Sequence, residues 1–296
     1  MTSRAHAAIA MAVVMGAFAA GGVACGGKTT LDTPTPTPSA SPTTTSTVTP
    51  YPTPSPYPTD EPSPAPEPEP LPTVGPIPAN TCVTFLGAIG VLPRFASIDL
   101  TTGAVTKGIS VKLSSDFSYD TMSIAVLDDE VLFCEIQRIT RVSRKDGSAS
   151  FIEPHGCEAI TADAGGITVM YANGKPLRHF ANVSDLKTNQ WDAESTAPTA
   201  VRLGSSPDGI IASMHAADQV FTSSGWIHLE GYDDYIDGLS GAPGRRILIA
   251  SPRASGGRPG LLAFDAFTGK SKGVVAMAPP DSWNSGLGFK GLACAY

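Results

Sequence analysis

The sequence is short of several things that would narrow its function at once. After residue 25 it has no apolar run near the ~18–20 residues that cross a membrane as a helix. No window of eleven or more residues carries a clean helical period, which excludes a helical bundle. Positive charge is short too: 20 Lys and Arg stand against 27 Asp and Glu, a net charge of −7. A chain that neutralises phosphates needs a basic face, so nucleic acid is not an expected partner.

Catalytic and metal signatures are missing as well. Gly286-Leu-Gly-Phe-Lys-Gly291 fits G-x-G-x-x-G, but the chain ends five residues later with no helix to receive a phosphate. Ser184 and Lys187 have Ser-x-x-Lys spacing, yet they overlap a turn and are expected on no helix. Ser240 misses the G-x-S-x-G elbow. His155, His179, His215 and His228 are not spaced as metal pairs. Glu230, Asp233, Asp234 and Asp237 crowd together, but Tyr235 stands where a cation loop needs an oxygen, so a solvated loop is expected. Arg245, Arg246, Arg253 and Arg258 form a basic stretch, expected to be exposed around the loop Ser251 to Gly260. It suits either an anionic partner or a merely solvated face. No catalytic residue, cofactor or metal ligand is expected.

What the sequence does have is alternation. Phe95-Ala-Ser-Ile-Asp-Leu-Thr-Thr-Gly103 and the residues up to Val111 alternate apolar and polar positions about a Thr-Gly turn, the pattern of a β-hairpin. The turn Asp99-Leu-Thr-Thr-Gly103 recurs as Asp185-Leu-Lys-Thr-Asn189 and Asp265-Ala-Phe-Thr-Gly269. Looser versions end at Gly147 and Gly225. Spacing near forty residues, with short strands between, is the period of a β-propeller. Five turns predict five blades, each an inner strand, a second strand, and a hairpin built on the turn. The last residues have no turn of their own, and the first turn has too little chain before it. The expected fold is therefore all-β, a five-bladed propeller over residues 79–296, with N- and C-terminal strands sharing one blade. An open or irregular sandwich is the alternative.

The first 78 residues do not belong to that domain. Ala7 to Ala20 is an apolar run of signal-peptide length behind Arg4. It is followed by Gly22-Val-Ala-Cys25-Gly-Gly, which resembles the lipobox of bacterial lipoproteins, with Gly22 where that family usually has Leu. The resemblance implies a signal over residues 1–24, cleavage before Cys25 and lipidation of its thiol. The partner would then be the cell-envelope membrane, reached through a lipid anchor. The alternative is an ordinary secretory signal in which Cys25 has no role. Residues 25–78 are Pro/Thr/Ser-rich, with Pro at every second position in places, which forbids helix and sheet. They read as a disordered linker or stalk, or as an unstructured tail with no spacing role.

With Cys25 set aside, four cysteines remain. Cys82 and Cys294 lie in the strands that closure brings together, and Cys134 and Cys157 lie in neighbouring units. The ring selects Cys82–Cys294 and Cys134–Cys157 among the three possible connectivities; four buried free thiols are the alternative. An exported chain keeps such bonds.

The repeated Asp-x-x-Thr-Gly unit, at Asp99, Asp185 and Asp265, resembles blade repeats of bacterial quinoprotein-like and related propellers. That implies fold alone, with each Asp a turn-former bonding its own backbone. The expected protein is a monomeric, exported, lipid-anchored binding or scaffold module for an envelope protein or glycan. The competing reading is an extracytoplasmic propeller that binds or processes carbohydrate. Trp191, Trp226 and Trp283 suit stacking on sugars and suit core packing equally. Hydrolysis would need converging carboxylates, and no motif supplies them.

Overall fold

The structure is a computed structural model that describes residues 74–88, 91–112, 123–135, 138–152, 157–171, 176–196, 202–213, 218–280 and 288–295. Cys25, the signal segment, nearly all of the Pro/Thr/Ser tract, His155, His215 and Trp283 lie outside the described residues.

Among the described residues, twenty strands form five four-stranded antiparallel sheets. Blade 1 contains β1 (Thr81–Ala88), β2 (Val91–Asp99) and β3 (Val105–Ser110). Blade 2 is β4 (Ile124–Val126), β5 (Glu130–Glu135), β6 (Arg138–Ser143) and β7 (Ala149–Ile152). Blade 3 is β8 (Cys157–Asp163), β9 (Gly166–Tyr171), β10 (Leu177–Phe180) and β11 (Ala193–Ser195), with a short helix α1 (Val183–Thr188) between the last two strands. Blade 4 is β12 (Arg202–Ser206), β13 (Gly209–Ser213), β14 (Gln219–Thr222) and β15 (Gly225–His228). Blade 5 is β16 (Gly238–Ala242), β17 (Arg246–Ser255), β18 (Arg258–Asp265) and β19 (Ser271–Met277). The final strand, β20 (Phe289–Cys294), returns to blade 1 and pairs with β1, giving the order β20-β1-β2-β3. This is a five-bladed β-propeller closed by its own two ends.

Strand alternation builds the core. In β5, Val131 and Phe133 pack into the seam with blade 1, while Leu132 and Cys134 pack into the seam with blade 3. In β17, Ile247 and Ile249 face blade 4, while Leu248 and Ala250 face blade 1. Among the described residues, five buried apolar clusters therefore correspond to the five seams between blades. The smallest, between blades 3 and 4, rests on Ala159, Met170, Leu203 and Ala212.

The repeated turn has a full local explanation. Asp99 Oδ1 accepts from the N–H groups of Thr101 (2.7 Å) and Thr102 (3.1 Å), and Thr102 Oγ1 accepts from Ala104 N–H (3.2 Å). Asp265 repeats this with Phe267, Thr268 and Lys270. Gly103, Gly147 and Gly269 close their loops at φ of 72°, 71° and 67°, a region closed to most side chains. The third occurrence differs from the sequence reading. Asp185 to Asn189 is not a hairpin loop but most of α1: Asn182 caps it by accepting Asp185 N–H (3.0 Å), and Asn189 ends it in the left-handed region at φ 55°. Ser184 and Lys187 thus do sit on a helix, though both point to solvent.

Both expected disulfides are present. Cys82 and Cys294 are directly opposed in the β1–β20 register with Cα atoms 3.9 Å apart, and Cys134–Cys157 joins blade 2 to blade 3. The chain ahead of β1 is also fastened. Gly75 N–H donates to Asp128 O (2.7 Å), and the buried Arg144 guanidinium donates to the carbonyls of Gly75, Leu127 and Asp128. Desolvation pulls the Arg144 pKa down, opposed by the nearby Asp128 and Asp129.

Candidate functional site

The place to look first in a propeller is its axis. The inner strands β20, β4, β8, β12 and β16 touch one another in sequence around it. Each is the edge strand of its sheet, so half of its backbone groups lack a ladder partner and need another. Hydroxyls supply several. Ser123 Oγ accepts from Leu203 N–H (2.8 Å), Ser240 Oγ accepts from Cys294 N–H (3.1 Å), and Thr84 Oγ1 donates to Gly291 O (2.7 Å). All three side chains are buried. Gly204 has no room for a side chain, because a Cβ there would lie 2.3 Å from Leu239 O. Ser123, Ser240 and Gly204 are thus committed to contacts between blades, and Thr84 to holding β20 within blade 1.

Charge collects where the inner strands begin. Asp237, just ahead of β16, pairs with Lys290 of β20 at 2.8 Å, and each side chain is only 12% exposed. The Arg202 guanidinium, at the start of β12, is buried and donates to Ile236 O (3.0 Å). This corrects the expectation for the acid patch. Glu230 and Asp233 are exposed, but Asp234 faces Arg253 (3.6 Å) and Asp237 is held in the interior ion pair. Tyr232 beside them is buried edge-on against Phe264, its hydroxyl donates to Tyr235 O, and burial pushes its pKa well up.

The described histidines are spoken for by carboxylates on blade rims: His179 Nδ1 with Asp192 (2.7 Å) and His228 Nδ1 with Asp218 (2.9 Å). The His179 hydrogen bond holds the Asp192 carboxyl below its ordinary range. No cluster of three potential metal ligands occurs among the described residues. Trp191 and Trp226 are not core: they are 42% and 44% exposed on the outer edges of blades 3 and 4. The Arg178 guanidinium stacks 3.7 Å over Trp191, and Phe221 meets Trp226 edge to face.

The basic stretch of blade 5 is split by the fold. Arg253 and Arg258 belong to the β17–β18 hairpin, whereas Arg245 and Arg246 sit at the opposite end of the blade, in the β16–β17 turn. There they line a cavity of about 270 Å³ between blades 4 and 5, together with Asp208, Ser223, Ser224 and Phe267. Sequence reasoning missed this convergence, since its residues come from four different turns. A second cavity of about 240 Å³ opens on blade 1, lined by Pro78, Phe95, Thr106 and Arg144 among others.

No protein-family model matches the chain, and no curated protein matches it. Among solved structures, it is similar to one from the nidogen/laminin complex, at 13% identity and a TM-score of 0.39 over 68% of this chain and 76% of that one. It is similar to TolB from Acinetobacter baumannii at 11% identity and a TM-score of 0.36, over 69% of this chain and 55% of that one. AztD from Citrobacter koseri matches at 12% identity and a TM-score of 0.31, over 72% and 74% of the two chains. The architecture rests on the strand order and ring closure of this chain itself.

Proposed function

We propose that this chain is an exported, lipid-anchored binding module, carried on a Pro/Thr/Ser-rich linker and displayed at the cell envelope. The observation that carries this reading is the build of the axis. Ser240 spends its hydroxyl on the adjacent inner strand at Cys294, Ser123 reaches from the head of β4 to Leu203 of blade 4, and Thr84 of β1 holds the inner strand β20 at Gly291. The carboxylate of Asp237 is taken by Lys290. The ring acts as a rigid platform, and its rims and inter-blade grooves carry recognition. Two disulfides and the fastening of Gly75 suit a domain that works outside the reducing cytoplasm at the end of a tether.

A glycan is the favoured partner over a protein because Trp191 and Trp226 are displayed rather than buried, and exposed aromatic faces stack on sugar rings. The test has two arms. Metabolic labelling with a radiolabelled fatty acid marks the wild-type chain and not Cys25→Ser. Full-length protein immobilised through its C-terminus captures envelope polysaccharide, and Trp191→Ala with Trp226→Ala weakens capture. Labelling that persists in Cys25→Ser, or a surface that retains no polysaccharide, overturns the corresponding half of the reading.

A further inference from the structure

The groove between blades 4 and 5 has a composition that specifies a ligand class. Arg245 and Arg246 are adjacent at its wall, and among the described residues neither takes part in an ion pair; Arg246 Nε donates to Pro243 O (2.8 Å). Arg245 also occupies a position that disfavours it. Its φ is 56°, next to Gly244 at 74°, so the chain places an arginine where glycine would be relaxed. Its guanidinium reaches over the Phe267 ring at 5.1 Å, and that ring remains 49% exposed. Opposite lie the exposed Asp208 and the exposed hydroxyls of Ser223 and Ser224.

We infer that this groove binds an acidic sugar, and this rests on the binding-module reading above. Planar guanidinium forks match the two oxygens of a carboxylate or phosphate. A simple anion would gain nothing from Asp208, whose carboxylate repels it. A ligand with both an anionic group and hydroxyls uses everything present: the anion on Arg245 and Arg246, hydroxyls on Asp208, Ser223 and Ser224, and the apolar ring face on Phe267. The cavity, about 270 Å³, lies below the ~300–1,000 Å³ usual for drug-sized ligands, which suits a single sugar unit.

The test is calorimetric titration of the full-length protein with glucuronate, glucose 6-phosphate and glucose. At least one acidic sugar binds, and glucose binds at least tenfold more weakly; the two acidic arms tell carboxylate from phosphate as the natural anion. Arg245→Gly lowers the affinity at least tenfold. Since glycine is favoured at that φ, its thermal midpoint stays level or rises, so the loss is not one of folding. Equal binding of glucose, or undiminished binding by Arg245→Gly, overturns the inference. If no acidic sugar binds while envelope polysaccharide is still captured, the groove assignment fails and the module reading stands; if neither occurs, both fail.

Discussion

The backbone N–H of Glu230, just past the last strand of blade 4, donates to the carbonyl of Gly269 in the outer turn of blade 5 (2.8 Å). Lys112 and Gly147 repeat the bond between blades 1 and 2 (2.7 Å). The recurrent turn is therefore also a joint between blades. A Cβ on Gly269 would fall 1.6 Å from His228 O, whereas one on Gly225 would meet nothing within 4 Å. Gly269→Ala is expected to cost about 3 kcal/mol, from backbone strain and clash together. Gly225→Ala, which adds only the strain of its positive φ, should cost about 1 kcal/mol. Urea denaturation of the two variants checks the difference.

The disulfides should separate in size. Cys82–Cys294 closes a loop of 212 residues and Cys134–Cys157 one of 23. In the loop-entropy account their removal costs about 5 and about 3 kcal/mol. Denaturation of the two paired Cys→Ala variants measures both, and near-equal losses would argue against ring closure as the main service of the first bond.

Much of this architecture was legible in the sequence because its signals are local. Asp, Thr and Gly in Asp-x-x-Thr-Gly each have a separate backbone task within five residues, so the motif marks the same hairpin at Asp99 and Asp265. Asp185 misled because the deciding residue lies outside the motif: Asn182, three positions earlier, caps a helical turn. The groove was illegible for a different reason. Asp208, Ser223, Arg245 and Phe267 are brought together only when blades 4 and 5 pack, and no spacing in the chain encodes that. Likewise Arg245 and Arg253 look like one basic patch in sequence, until a ten-residue strand places them at opposite ends of a blade.

Acid should loosen the turns. The backbone N–H of Thr101 and that of Thr102 hold the Asp99 carboxyl below its usual range, and those of Thr268 and Phe267 do the same for Asp265. The Ser143 and Ser148 hydroxyls bring Asp146 to about 2. An unfolded Asp titrates near ~3.9, so between that pH and the depressed native values the unfolded chain holds more protons than the folded one. The stability these groups contribute is full above about pH 4 and drains away as the pH falls towards about 2. Thermal midpoints measured from pH 6 to pH 2 should fall in that window, and Asp146→Asn should flatten the slope.

Sealing the axis carries its own requirement. Ser240→Ala removes the acceptor for the buried Cys294 N–H and should cost about 1–3 kcal/mol, the penalty of leaving a donor unsatisfied rather than the net worth of one hydrogen bond. Ser240→Thr keeps the oxygen but adds a methyl group where the side chain is fully buried, so it tests volume separately. Denaturation of both variants distinguishes the two causes.

The Asp237–Lys290 pair offers the sharpest test of whether the charges at the head of the inner strands hold the ring shut. Both side chains are nearly buried, and Gly291 N–H also donates to Asp237 O (2.8 Å), so β20 is tied to blade 5 by side chain and backbone at one point. Removing one partner strands the other in a poorly solvated site, and Lys290→Met is expected to cost about 3 kcal/mol. Asp237→Asn should cost less, because an amide needs less solvation than a carboxylate. The double variant leaves no unpaired charge, so it should be more stable than Lys290→Met alone, with a coupling of about 1–3 kcal/mol in a double-mutant cycle. Additive losses would mean that the two charges act independently, and that the backbone bond at Gly291 is what binds the last strand to blade 5.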